Sequence, residues 1–310
     1  MKKFLLKISL VLVPFAFSIC CLAYLAYNSE VQIFESDISC PTNVLAAVVG
    51  DSRVNKGFDP TEITWLRNFG SAGMSFMTTM EKAKRIARLN PNIKLLIIDV
   101  NPGRFVYERI SEPLIKQNPW EPPGTVLINI MAFRDMPPLC DGDEVRFVNW
   151  VLIPYFKRLL FKHFLFKHYS TKSPITGGFE QYHRFMTDSH IKDKMQPTET
   201  RKICTDCENK LDGLLNYLRF RNMNVVLCSM PVYHWRDWDQ IPGDAKTYFV
   251  QRMRQISKKH NVPWLNWLSD DYNNADYWGD NSHLNDIGAK VFSRDKRSIL
   301  EQHLRPTTPK

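Results

Sequence analysis

The stretch Val44-Leu45-Ala46-Ala47-Val48-Val49-Gly50-Asp51-Ser52 decides how this chain is read. Six apolar residues follow one another without a polar alternate, and a glycine stops them. A strand of that kind is buried on both faces, as in a parallel sheet. Three later runs repeat the pattern. They are Lys94-Leu95-Leu96-Ile97-Ile98-Asp99-Val100 within Asn92 to Val100, Asn224-Val225-Val226-Leu227-Cys228-Ser229-Met230, and Val262-Pro263-Trp264-Leu265-Asn266-Trp267. Between and after them, Met80 to Leu89, Cys207 to Phe220, Lys246 to His260 and Asp286 to His303 have helical spacing. Strands alternating with amphipathic helices predict an α/β fold with a mostly parallel sheet between helical layers. Ligands then bind beyond the carboxyl ends of the strands. Gly50-Asp51-Ser52, Asn101 and the segment after Met230 all fall at such ends.

Composition sets the wider frame. The 310 residues are 44% hydrophobic and 24% charged, which suits a globular protein with a sizeable core. The net charge is +9, and Lys2, Lys3 and Lys7 supply three of those charges before any acidic residue appears. The remaining excess suits an anionic polymer or membrane surface. With no zinc-finger pattern and no aromatic RNA-binding signature, nucleic acid is not the expected partner.

The N-terminus reads as an anchor. Met1-Lys2-Lys3 is basic, and Ile8 to Tyr27 is uncharged and almost wholly apolar. About 20 such residues cross a bilayer as a helix. Lysines ahead of it, with Glu30, Glu35 and Asp37 behind, orient the bulk of the chain to the periplasm or cell exterior. A cleaved signal peptide is the rival reading. The exit Leu22-Ala23-Tyr24-Leu25-Ala26-Tyr27 lacks a small-x-small site, which favours a retained anchor. Phe17-Ser18-Ile19 is a poor lipobox, so Cys20 and Cys21 read as anchor residues. The expected division is residues 1–30 as tip and transmembrane anchor and 31–310 as the extracytoplasmic domain.

Five cysteines follow the anchor: Cys40, Cys140, Cys204, Cys207 and Cys228. A lone Cys204-x-x-Cys207 is a weak zinc signal, and in an oxidising compartment a disulfide within it or to Cys140 is the stronger expectation. Cys228 ends an apolar run and reads as a buried thiol. Residues 102–200, rich in proline, aromatic and basic side chains, break the alternation and read as an insertion over the sheet. Within it, Val145 to Tyr169 reads as a core helix with snorkelling lysines, ahead of an interfacial helix lying on a membrane.

Two short motifs could carry chemistry. Gly50-Asp51-Ser52 follows the first strand, and Asp280-Asn281-Ser282-His283 precedes the terminal helix. A serine hydroxyl needs a base to become a nucleophile, and a histidine base needs an acid to orient it. Asp280 and His283, three apart in a turn, can hydrogen-bond while the imidazole faces Ser52. Each residue also has a plain structural reading. Asp51 and Ser52 cap helices well, His283 could be a surface histidine, Asn68 and Gly73 suit turns, and Asn101-Pro102 suits a strand-ending turn.

These blocks resemble the SGNH/GDSL hydrolase superfamily. Gly50-Asp51-Ser52 is similar to its first block and Asp280-x-x-His283 to its last. Asn68-Phe69-Gly70-Ser71-Ala72-Gly73 resembles the second, and Asn101 stands where the third block has its asparagine, although Asp99-Val100-Asn101-Pro102 departs from the usual Gly-x-Asn-Asp. The motifs span residues 44–300 apart from the insertion. The resemblance implies a flavodoxin-like three-layer fold and covalent acyl transfer. Ser52 would be the nucleophile, His283 the base and Asp280 its partner, with Gly73 and Asn101 completing an oxyanion hole beside the Ser52 N–H. In style the chain resembles the anchored envelope branch, such as the teichoic-acid D-alanylation protein DltD and alginate O-acetylation proteins. That branch implies an envelope glycan or acyl carrier as substrate and a membrane-bound O-acyltransferase as partner, and no cofactor or metal. Water as final acceptor makes an esterase, and a sugar hydroxyl makes a transferase. A catalytically silent scaffold that binds a glycan or membrane partner is the alternative.

Tyr233-His234-Trp235-Arg236-Asp237-Trp238 follows a strand and would overhang the site, with His234 and Trp235 expected to line the substrate. Trp264, Trp267 and Trp278 read either as carbohydrate platforms or as core.

Overall fold

The computed structural model describes residues 35–107, 179–185, 205–233 and 243–304 except 269, 271 and 273, with isolated positions between 13 and 32. The chain divides into two compact units, Met1–Asp37 with Leu114–Ser173, and Ile38–Pro113 with Pro174–Lys310. Few residues of the first are described, so the expected anchor and the Val145 to Tyr169 helix lie almost wholly outside them. Among the described residues no helix is long and apolar enough to cross a membrane.

The second unit is the α/β body. In chain order it runs β1 (Ala46–Val49), α1 (Ser52–Gly57), β2 (Leu66–Asn68), α2 (Phe76–Leu89), β3 (Leu95–Asp99) and α3 (Pro102–Tyr107). It continues with α4 (Asp206–Phe220), β4 (Asn224–Ser229), α5 (Gly243–His260), β5 (Trp264–Asn266) and α6 (Asp286–Leu304). The five strands form one sheet in the order β2-β1-β3-β4-β5, every pair parallel. That is the flavodoxin-like order, in which the ligand crevice opens between the first and third strands.

The apolar runs form these strands because both faces of the sheet are covered. Every residue of β1 and β3 is buried. Ala46, Val48, Leu95, Ile97, Val226 and Cys228 share one core with Val54 and Phe58 of the first helix segment and Phe292 and Leu300 of α6. Their alternates Ala47, Val49, Leu96, Ile98 and Leu227, also buried, point to the other layer, where α2, α4 and α5 lie. Each layer has its own aromatic chain. Phe58, Trp267, Tyr272 and Phe292 meet edge to face at 5.2–6.1 Å in one, and Phe76, Phe105, Phe249 and Trp264 at 5.6–6.0 Å in the other. Trp278 is fully buried, with its Nε1 donating to the Tyr272 carbonyl at 2.7 Å. Of the three tryptophans read as possible sugar platforms, Trp267 and Trp278 are therefore core residues, and Trp264 is half-buried, packed on Phe249 with its Nε1 donating to Ser229 Oγ at 3.1 Å.

The longer helices carry conventional ends. Ser75 caps α2 by accepting the Thr78 N–H at 3.0 Å. Asn222 and Asn261 follow α4 and α5 with φ of 54° and 53°, the left-handed turn that ends many helices. Cys228 is a buried thiol, as expected. Cys207 is buried too, with Sγ 3.8 Å from the Arg104 carbonyl. Its expected disulfide partners, Cys204 and Cys140, lie outside the described residues.

Two glycines separate packing from propensity. A Cβ on Gly70 would lie 2.3 Å from the Asn55 backbone nitrogen, whereas one on Gly213, within α4, would meet nothing within 4 Å. Gly70→Ala is expected to lower unfolding stability by about 1–3 kcal/mol, and Gly213→Ala to raise it by about 0.5–1 kcal/mol. Urea midpoints of the purified protein check both.

Candidate active site

The site is built where β1 and β3 end. After Val49 the chain turns through Gly50 and Asp51 into α1, and Ser52 is the first residue of that helix. Asp51 caps it, accepting the Arg53 N–H at 2.9 Å. The helix-cap reading is thus realised at Asp51, the residue before Ser52.

The histidine arrives from the opposite end of the chain. Trp278 and Leu284 form an antiparallel bridge, and the turn between them presents Asp280 and His283. Asp280 Oδ1 accepts the backbone N–H groups of Ser282 at 2.8 Å and His283 at 3.0 Å. Both of its oxygens lie 2.9 Å from His283 Nδ1. With the imidazole proton on Nδ1, Nε2 is left to accept from Ser52 Oγ at 2.7 Å. Residues 231 positions apart in sequence thus form one hydrogen-bonded relay. Burial works against the Asp280 carboxylate, but the His283 ring, the Ser282 N–H and the Tyr182 hydroxyl outweigh it. They hold its pKa at about 2, so Asp280 is ionised wherever the protein is folded at ordinary pH.

The second block supplies scaffolding. Asn68 ends β2 and is buried. Its Nδ2 donates to the carbonyls of Val54 at 2.7 Å and Phe58 at 2.9 Å, and its Oδ1 accepts the Gly70 N–H at 2.8 Å. One side chain therefore joins the helix carrying Ser52 to the loop carrying Gly73. Ser71 N also donates to the Gly50 carbonyl at 3.1 Å. Beneath this loop, buried Lys82 donates through Nζ to the Phe69 carbonyl at 2.8 Å and to Ser71 Oγ at 3.2 Å. Burial pushes its pKa well below the lysine range. Gly73 has φ of +71°, the left-handed region that favours glycine, and a Cβ there would meet nothing within 4 Å.

Asn101 follows β3 and has two attachments. Its Oδ1 accepts from the N–H groups of Gly103 at 3.0 Å and Arg104 at 3.4 Å, capping α3. Its Nδ2 donates to Asp51 Oδ2 at 3.0 Å. An amide nitrogen carries two donor hydrogens, so this bond commits one and leaves one to offer.

A charge cluster stands behind Ser52, with Asp51 and Arg53 buried and Arg104 half-buried. Arg53 lies 3.6 Å from Asp51, and Arg104 lies 3.5 Å from its other oxygen. Burial alone would raise the Asp51 pKa, but Arg53 and Arg104, with the Arg53 N–H and Asn101 amide, bring it below the usual carboxylate range. Asp99, at the end of β3, goes the other way. Burial is the main cause and Asp51 adds to it, while Arg53 only partly opposes them.

Sequence reading missed one member of the site. Tyr182 comes from the segment assigned to the insertion, and its hydroxyl donates to Asp280 Oδ2 at 3.1 Å. No local pattern around Tyr182 marks that contact. His234, Trp235 and Asp237 lie outside the described residues. Among the described residues no group of three or more His, Cys, Asp or Glu is gathered as metal ligands.

No protein-family model matches the chain, and no curated protein matches it. Among solved structures, the chain is similar to a protein of Bacteroides fragilis NCTC 9343, solved at 2.00 Å and provisionally described as an acylhydrolase. The TM-score is 0.42 at 10% identity, over 84% of this chain and 88% of that one. The chain is an α/β protein of flavodoxin-like strand order.

The electrostatics behind Ser52 make a pH-dependent prediction. A carboxyl whose pKa is higher folded than unfolded binds more protons in the native state. Its stabilising contribution is complete below the unfolded pKa and is lost as pH rises through the folded one. Asp99→Asn keeps an acceptor for the Met230 N–H and removes that loss. The variant is expected to gain stability over wild type at pH 8, by on the order of 1 kcal/mol or more, and to gain little near pH 4. Urea unfolding at the two pH values measures the difference.

Proposed function

We propose that this protein is a serine-dependent acyl-transferring enzyme with Ser52 as nucleophile, His283 as general base and Asp280 as the group that orients it. The observation that carries this reading is the unbroken relay from Asp280 through His283 to Ser52, with contacts of 2.9 and 2.7 Å. As Ser52 Oγ forms its bond to an ester or thioester carbonyl carbon, its proton passes to His283 Nε2. The carbonyl oxygen becomes an oxyanion, to which the Ser52 and Gly73 N–H groups and the second Asn101 amide hydrogen would donate. Collapse breaks the bond to the leaving oxygen or sulfur, which takes the proton back from the imidazolium. The acyl-serine is then relieved by water or by a sugar hydroxyl, activated by His283 in the same way.

The finer reading is O-acyl transfer to, or ester hydrolysis on, a cell-envelope glycan, with the body held outside the cytoplasm by the segment Ile8 to Tyr27. Its support is that segment's length and lack of charge, and the lysines before it. A membrane-bound O-acyltransferase is the partner such an arrangement would serve.

Labelling of the purified protein with a fluorophosphonate, followed by intact mass, tests the nucleophile. One adduct is expected on wild type and none on Ser52→Ala. His283→Ala is expected to slow labelling by about 100-fold or more, and Asp280→Asn by at least about 100-fold, because the wrong imidazole tautomer is then favoured. A well-folded wild type that takes no adduct would overturn the assignment. Protease protection in spheroplasts tests the topology, the body being expected to be cut from outside.

A further inference from the structure

We propose that Tyr182 is a positioning residue for the His283 base, fixing through its hydroxyl the carboxylate that orients the imidazole. The inference rests on the reading of Ser52 and His283 given above and adds a fourth member to their relay.

The segment 179–185 is tied to the site at several points. The Glu180 N–H donates to the Asn55 carbonyl at 3.2 Å, and the Asp286 N–H, at the start of α6, donates to the Tyr182 carbonyl at 3.2 Å. Lys56 Nζ pairs with Glu180 at 3.1 Å and sits 4.6 Å from the Tyr182 ring centroid. The segment therefore bridges the helix that begins with Ser52 and the helix that follows His283. The ring fills the space beside the turn: a Cβ on Gly279 would fall 2.2 Å from it. It stands edge-on to the His283 ring, with centroids 6.2 Å apart and planes at 80°.

The hydroxyl acts where the carboxylate needs it. Asp280 Oδ1 is held by two backbone N–H groups, whereas Oδ2 takes the Tyr182 hydroxyl at 3.1 Å. Both oxygens reach His283 Nδ1. The phenol also takes a hydrogen bond from Arg184, so donors run from Arg184 through Tyr182 to Asp280. The charged and titratable groups around this pair are Lys56 on α1, Glu180, His183 and Arg184 on the segment, and Asp286 on α6. His183 Nδ1 lies 3.3 Å from Asp286. A donor on Oδ2 draws negative charge away from the side facing the imidazole. Removing it concentrates that charge and favours the imidazolium.

Tyr182→Phe removes the hydroxyl and keeps the ring against Gly279 and His283. Two measurements compare it with wild type: the fluorophosphonate labelling rate across pH 5–9, and the pH response of the His283 ring resonances by NMR. In the variant, labelling near neutral pH is expected to fall about tenfold. The midpoints of the rate's acid limb and of the ring response are both expected to rise by about half a pH unit. A purely structural tyrosine would change the rate without moving either midpoint. Wild type that labels on Ser52, with a variant of unchanged midpoints, overturns the role of Tyr182 and leaves the nucleophile standing. Wild type that does not label, with a ring response that still shifts in the variant, overturns the nucleophile and leaves Tyr182 coupled to His283. No label and no shift overturns both.

Discussion

The parallel pairing of β1 with β3 holds the rest of this molecule in place. Val49 lies opposite Ile98, so the two strands end within one residue of each other and at the same edge of the sheet. Ser52 follows one end and Asn101 the other, and the Asn101 amide reaches Asp51 across the gap between them. The strands are buried because parallel strands need helices on both faces. A slip of one residue in this register would send the inward set of one core into the other layer. It would also separate the two loops.

Around that gap the chain gathers charge, most of it buried. Arg53 and Arg104 flank Asp51, Asp99 lies behind them, and Lys82 is buried under the neighbouring loop. Replacing such groups by apolar ones is often neutral or better for stability alone. Here they hold backbone: Asp51 caps α1, Asn101 caps α3, and Lys82 grips the Phe69 carbonyl. Polar side chains near this site mostly spend their hydrogen bonds on fixing the loops that carry Ser52, Gly73 and His283. The separation of roles resembles that in designed sites, where supporting contacts set the geometry of the reacting groups.

Much of this was legible because unbroken apolar runs leave few alternatives. The strands at 46–49, 95–99, 224–229 and 264–266 fall inside the runs that predict them, and the four long helices differ from expectation by a few residues at their ends. β2 escaped because Leu66–Asn68 is three residues long and two of them are polar, which is too short for any period. α1 is a single short helix hidden behind a motif read for its chemistry. Ser52, His283 and Asp280 were legible as candidates, and their meeting follows from the parallel topology. Tyr182 was not, since its contact depends on where a long excursion of the chain returns, which local pattern does not encode. The tryptophans were ambiguous for a different reason: the same residue type serves a wet platform and a dry core, and only packing distinguishes them.

The distance in sequence between Ser52 and His283 also matters while the chain is being made. β1, α1 and β3 are synthesised well before the turn carrying Asp280 and His283 and the helix that anchors it. That helix is fastened to the early part of the chain by Ser293, whose Oγ accepts the Asp59 N–H at 2.7 Å and donates to the Gly57 carbonyl at 3.3 Å. Contacts of such long range close late, because loop-closure entropy is lost before they can stabilise anything. Until they close, Ser52 has no imidazole beside it. The polar relay between Ser52 and His283 therefore exists only once these distant segments have docked, so its presence reports that the body of the fold is closed.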